Sequence, residues 1–205
     1  MHTDKPLLQL HAEIDTRVQA IRAERAAWLC GKGCDSCCRR LADVPRLTAA
    51  EWRLLQQGLA AMTASQLEDV ERKMVALDGE HGRPVVCPLL DQTTGACPVY
   101  AHRPVACRTY GFYAQRALGL YCGDIEAQVA GGELTDVVWG NHDAVDQQLG
   151  ALGEARALTD LWFGRGKDCP PRSHTLSMGT PCVSQRIRCG RGHCAWRNRA
   201  PRLHV

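Results

Sequence analysis

The 205-residue sequence predicts a mostly α fold in which amphipathic helices pack around an irregular, cysteine-rich centre. Three observations carry that reading. Apolar residues recur at helical spacing behind N-cap signals in the first 80 residues and again after residue 122. Between these parts, residues 78–122 are broken repeatedly by glycine and proline. Eight of the twelve cysteines fall between positions 30 and 122.

Residues 4–29 place Leu7, Leu10, Ile14, Val18 and Ile21 on one helical face. Asp4 is the expected N-cap, and Pro6 is tolerated in the first turn, where its missing N–H has no partner to lose. Gly31 and Gly33 end the helix and let the backbone turn closely into the first cysteine loop. Thr48-Ala-Ala-Glu51 reads as a capping box, and Ser65-Gln-Leu-Glu68 as a second. Their helices carry the stripes Trp52, Leu55, Leu59, Met62 and Leu67, Val70, Met74, Leu77, which read as core rather than as a cofactor surface. From Asp78 to Cys122 only short runs such as Val85-Val86-Cys87 and Val99-Tyr100 survive between Gly79, Gly82, Pro84, Pro88, Gly95, Pro98 and Pro104. So long an irregular stretch needs an organiser other than secondary structure. After Cys122, residues 124–129, 141–149 (capped by Asn141) and 154–163 read as helices, with Leu161, Trp162 and Phe163 closing the fold. The sequence shows no internal repeat and no coiled-coil heptads.

The net charge of +3 hides a split. Residues 165–205 hold eight Arg, one Lys and one acid, Asp168, for a net of +8. That leaves 16 basic and 21 acidic residues, a net of −5, in 1–164. The expected organisation is a domain over 1–164 followed by a basic, disordered tail over 165–205. Composition gives the domain no basic footprint, so no nucleic-acid partner is expected. No run reaches the about 18 apolar residues of a membrane span, so no membrane partner is expected either. The opening Met1-His2-Thr3-Asp4-Lys5-Pro6 lacks an apolar leader segment, which predicts a cytoplasmic setting. In that setting thiols stay reduced, and gathered cysteines bind metal more often than they form disulfides.

The cysteines have chelating spacing. Cys34-x-x-Cys37 brings two sulfurs to one turn, and Cys30, Cys34, Cys37 and Cys38 crowd four thiols into nine residues. The Cys37-Cys38 doublet points to a multinuclear centre, to two neighbouring metals, or to one ligand beside a spare thiol. Cys87, Cys97 and Cys107 follow at intervals of ten, and Cys122 after them. A metal held by this set would organise residues 30–38 and 85–122. Thiolate–metal centres are anionic, so Arg103 and Arg108 are candidate cofactor-binding donors to sulfur, with solvated loop arginines as the alternative.

In order and spacing, the run Cys30-x3-Cys34-x2-Cys37-Cys38 and the Cys-Pro-Leu, Gly-x-Cys-x-x-Tyr and Arg-Pro-x-x-Cys-Arg segments resemble the bacterial YkgJ-type cysteine cluster family over residues 25–125. The resemblance implies a zinc- or iron-chelating domain, also described as Fe–S-cluster-containing. It implies metal ligation by Cys30, Cys34, Cys37, Cys38, Cys87, Cys97 and Cys107; Cys122 stands where a further ligand is expected. A flagellin lysine N-methylase carries a similar domain, yet no glycine-rich methyl-donor loop follows a strand here.

Zinc and iron–sulfur clusters both accept this donor set. The doublet and the adjacent arginines tilt the expectation towards an Fe–S cluster over Zn2+. The leading expectation is thus a metal-binding protein with a redox or metal-handling role. Its alternatives are a structural zinc module that binds a protein partner, and a thiol–disulfide protein using Cys34 and Cys37. His102 reads as a half-exposed loop residue, Asp35 as a turn former, and Tyr110, Phe112, Tyr113 and Tyr121 as a shield around the last cysteines. Cys169, Cys182, Cys189, His193 and Cys194 match no standard zinc-finger spacing. No GxSxG, HExxH, P-loop or dinucleotide fingerprint is present.

Overall fold

Helix α1 (Lys5–Glu24) buries Leu7, Leu10, His11, Ile14, Val18 and Ile21, which is the predicted face with one histidine added. It belongs to a computed structural model that describes residues 5–25, 27–79 and 82–165; the expected cap Asp4 and the tail from 166 onward lie outside the described residues. The helix ends at Glu24, five residues short of expectation. The chain turns there, with Arg25 N–H donating to Arg22 O and Trp28 N–H to Arg25 O.

A two-residue strand β1 (Arg46–Leu47) leads into α2 (Ala49–Ala60). The Thr48 capping box is present as predicted: Thr48 Oγ1 accepts Glu51 N–H at 3.3 Å, and Glu51 Oε2 accepts Thr48 N–H at 2.8 Å. In α3 (Ala64–Asp78) the box is Thr63–Gln66 and not Ser65–Glu68. The earlier start places Met62 just before the cap and Leu67 at the fourth helical position, the two ends of a hydrophobic staple. Both pack against the same core, as do the corresponding Leu47 and Trp52 of α2.

Residues 78–122 carry more regular structure than the glycines and prolines promised. A 3-10 turn (Tyr100–His102) precedes α4 (Val105–Thr109), and β2 (Tyr113–Gln115) forms a hairpin with β3 (Leu118–Leu120). Arg116 and Ala117 make the hairpin turn with φ of 48° and 65°, positions where glycine or asparagine is the usual signal. The stretch is also anchored by apolar burial at Val85, Leu89, Leu90, Val99 and Val105. By contrast, no described residue between 22 and 46 is fully buried. The segment most in need of an external organiser is thus the first cysteine loop.

Then come α5 (Gly123–Ala130), β4 (Gly140–Asn141), which pairs parallel with β2, and α6 (His142–Ala151), capped by Asn141 as predicted. The predicted helix over 154–163 shrinks to α7 (Leu158–Trp162), because β5 (Arg156–Ala157) pairs antiparallel with β1. Two cores result. The first joins the α1 face to Ala50, Val105, Phe112, Tyr113 and Val145; the second joins Leu47, Leu55, Leu59, Val70, Met74, Leu89, Val99 and Leu158. Arg165, which the charge split assigned to the tail, is 8% exposed and ion-paired with Asp78 and Asp160. Among the described residues no helix is long and apolar enough to cross a membrane.

Two polar side chains are fixed inside these cores. Glu51, 2% exposed, also accepts Val105 N–H at 2.9 Å through Oε1. Glu51→Ala would leave the buried Val105 and Thr48 N–H groups without their acceptor. The expected cost is about 2–4 kcal/mol, read as a lower urea midpoint at unchanged slope. His11 is buried with Nε2 unpartnered, and burial, then the Arg108 charge, lower its pKa to about 4. The unfolded chain therefore takes up this proton first as pH falls through 6.5. Stability from neutral His11 is complete above that value and is lost progressively down to pH 4, by about 3 kcal/mol. Urea titrations across this window should show wild type losing stability as pH falls, with His11→Leu losing less.

Candidate metal centre

The first cysteine loop is closed by its own turns and then joined to the second cysteine segment. Cys34 N–H donates to Gly31 O at 3.1 Å and Arg40 N–H to Cys37 O at 3.2 Å. The Asp35 carboxylate accepts Arg39 Nε at 2.6 Å, so Asp35 holds the turn. Leu41 and Val85 form an antiparallel bridge with two 2.9 Å hydrogen bonds, and Cys87 N–H donates to Cys38 O at 2.7 Å. These contacts bring two cysteine motifs, some fifty residues apart in sequence, side by side.

A third piece reaches the loop through Gly111. Trp28 Nε1 donates to Gly111 O at 3.2 Å, and Trp28 stacks on Phe112. With φ of +87°, Gly111 holds a conformation side chains disfavour, and a Cβ there would stand 2.3 Å from Cys30 Sγ. The sulfur thus rests directly on backbone. Gly111 N–H donates to Leu120 O at 2.6 Å, which ties this contact to the hairpin strand that ends just before Cys122, the N-cap residue of α5.

All eight cysteines are free, seven of them half-buried and Cys107 exposed. Cys37 and Cys38 hold their sulfurs 4.0 Å apart. Burial pushes the Cys30 thiol up to about 12, reinforced by Cys34, Cys122 and Cys37 and opposed by Arg22. Cys37 is raised by its contact with Cys38 and by burial. Cys38 is drawn down by Cys37, but Cys87 and burial outweigh this and bring it to about 12. Burial raises Cys97 against the pull of Val99 N–H and Arg103. Cys107 presents area to solvent, yet the protein packed around its sulfur still raises it, followed by Cys38, Cys37 and Cys97. Without a cation, these thiols stay protonated at neutral pH; ionising them together requires positive charge among them.

The donor set suits a soft, thiolate-loving metal such as zinc or iron. Among the described residues, however, no three His, Cys, Asp or Glu side chains stand close enough to enclose one ion. The predicted metal-organised centre is therefore seen as assembled segments rather than as a closed ligand shell.

The two candidate arginines separate. Arg108 is 7% exposed and bonds Asp15 through Nη1, Ala101 O at 2.7 Å through Nη2 and Arg103 O at 3.1 Å through Nε. No sulfur is among its partners, and its role is to fasten α4 to α1. Arg103 stacks on Tyr100 at 3.8 Å and stabilises the thiolate forms of Cys97 and Cys107. The arginine argument for an iron–sulfur cluster thus rests on Arg103 alone. His102 is half-buried against Gly58. Tyr110 faces Cys37, Cys122 and Cys30 and donates to Tyr121 O at 2.8 Å, whereas Tyr113 belongs to the α1 core. Arg22, Trp28 and Gly111 escaped sequence reasoning, because their relation to Cys30 depends on the turn after α1. Cys169, Cys182, Cys189 and Cys194 lie outside the described residues.

No curated protein and no solved structure matches the chain. A family model does: CxxCxxCC, described as "Putative zinc- or iron-chelating domain", matches residues 29–127. That segment contains all eight cysteines assembled here, together with Arg103, Tyr110 and Gly111. Residues 29–127 are therefore similar to the CxxCxxCC zinc- or iron-chelating domain.

Proposed function

We propose that the chain chelates zinc or iron through Cys30, Cys34, Cys37, Cys38, Cys87, Cys97, Cys107 and Cys122, and that the metal orders the first cysteine loop. The observation that carries this reading is the joining of the two cysteine segments by the Cys87–Cys38 hydrogen bond and the Leu41–Val85 bridge, inside the family segment. Bound metal supplies the positive charge that lets buried thiols ionise. The chain supplies the rest. Arg22 and Arg103 offset thiolate charge, Gly111 makes room for Cys30, and Trp28 and Tyr110 limit solvent access. Anaerobic purification followed by metal and acid-labile sulfide analysis tests the reading. Zinc without sulfide gives a thiolate zinc protein, and iron with sulfide gives the Fe–S protein with a redox role. A folded chain with neither metal and with titratable disulfides would reject chelation.

A structural role predicts where metal removal acts. No described residue of 22–46 is fully buried, while 82–122 keep apolar anchors. Limited trypsin digestion of chelator-treated protein should produce new cleavage after Arg39 or Arg40, and the metal-loaded form should resist it. Equal resistance in both forms would remove the structural role.

The ligand set also predicts what the tail does not do. Truncation after Arg165, which keeps the ion pairs to Asp78 and Asp160, should leave metal per chain unchanged. A large drop in that ratio would make ligands of tail cysteines.

A further inference from the structure

An open groove of about 390 Å3 lies between α3 and residues 82–92. Lys73, Ala76 and Leu77 line it from the helix, and Arg83, Pro84 and Val86 from the facing segment. That segment has two unlike edges. Its inner edge is paired: Val85 exchanges both backbone hydrogen bonds with Leu41 at 2.9 Å, and Cys87 N–H donates to Cys38 O at 2.7 Å. Successive residues of an extended chain turn their N–H and C=O groups to opposite sides, so Val86 directs both of its groups away from this pairing. Val86 is 40% exposed, and its N–H and C=O have no partner among the described residues. An unpaired edge of this kind is a template for another extended chain. Pro84 and Pro88 cannot donate to such a chain, which confines the pairing to Val86.

Charge selects the kind of chain. Two cations and no acid stand among the described lining residues, although residues 1–164 carry a net of −5. Lys73 Nζ bonds Leu90 O at 2.7 Å and pairs with Asp69, and Arg83 pairs with Asp43. The Asp69 and Asp43 side chains are 41% and 70% exposed. Pairs so exposed contribute about 0–1 kcal/mol, so an incoming carboxylate can share or replace either acid. Ala76, Leu77 and Pro84 offer an apolar bed between the two cations. We propose that this groove binds a short, acidic, extended peptide segment of another protein, which adds as a strand to Val86 and sets its carboxylates on Lys73 and Arg83. Main-chain bonds to one residue give a weak, reversible contact, and the side chains give it specificity. The docked strand lies across 85–87 from Cys38, so it makes this segment the middle one of three. It also covers Cys87, which lines the groove, and stiffens the join between the two cysteine segments. The proposal goes beyond chelation and does not depend on it.

The test is a heteronuclear NMR titration of the full-length chain with the peptide acetyl-Glu-Val-Glu-Val-Glu-amide. The Val86 and Ala76 amides should shift saturably, and exchange of Val86 N–H with solvent should slow. Three changes should each weaken binding about fivefold or more: N-methylation of the middle peptide residue, replacement of the three glutamates by lysines, and the double variant Lys73→Met/Arg83→Met. The two peptide changes leave the protein untouched, so a folding defect in the variant cannot hide the result. No saturable shift at Val86, or equal binding of the lysine peptide, would overturn the proposal. So would a Val86 N–H that is already protected without peptide. Protection lost on dilution gives the groove to a second copy, and protection that persists gives it to this chain's own residues. Metal per chain, measured on the same samples, reports on chelation separately.

Discussion

The arrangement of the cysteine segments depends on one buried carboxylate. Glu51 closes the N-terminus of α2 through Thr48 and reaches across to the first N–H of α4. A five-residue helix such as α4 has no stability of its own. It persists because Glu51 holds it from α2 while Arg108, bound to Asp15, holds it from α1. Val105, fully buried, adds the apolar part of the attachment. Cys107 lies on this helix and Gly111 two residues beyond its end, so a contact inside the first core sets where Cys107 and the seat of Cys30 stand.

Burial and charge then oppose each other at the sulfurs. Protonated thiols tolerate a half-buried setting, but thiolates do not unless a cation accompanies them. Arg22 and Arg103 reach different cysteines: Arg22 acts on Cys30, Arg103 on Cys97 and Cys107. Two arginines cannot neutralise eight thiolates. In the proposed chelation, bound zinc or iron would supply the missing charge, and its bonding energy would become ordering energy for the loops that carry the ligands.

Much of this was legible in the sequence. The α1 face, the Thr48 capping box, the Asn141 cap and the family segment were readable because each depends on spacing within one short window. The second capping box was misplaced by two residues, since Thr63–Gln66 and Ser65–Glu68 both satisfy the pattern and only packing of Met62 and Leu67 on the core decides between them. The hairpin at 113–120 was hidden because Arg116 and Ala117 take the left-handed turn without glycine. Arg108 was read as a sulfur donor from its place beside Cys107; its partner Asp15 lies 93 residues away, beyond any local rule. The relation of Gly111 to Cys30 is likewise a long-range contact.

The same contrast explains how scaffold and chelating loops divide the work. Helix α1 buries six side chains, and α2 and α3 together bury Leu55, Leu59, Val70, Met74 and Leu77. At about 1.5–3 kcal/mol for each large apolar side chain, these helices have a source of stability independent of any metal. The loop from 30 to 45 has none of comparable size; it is held by hydrogen bonds to 85 and 87, by Arg39–Asp35 and by its cysteines. It is therefore a strap laid over a prebuilt scaffold. Because Cys30 rests on one core and Cys38 meets Cys87 at the other, metal bound along this strap would fasten the two cores to each other at their least packed side.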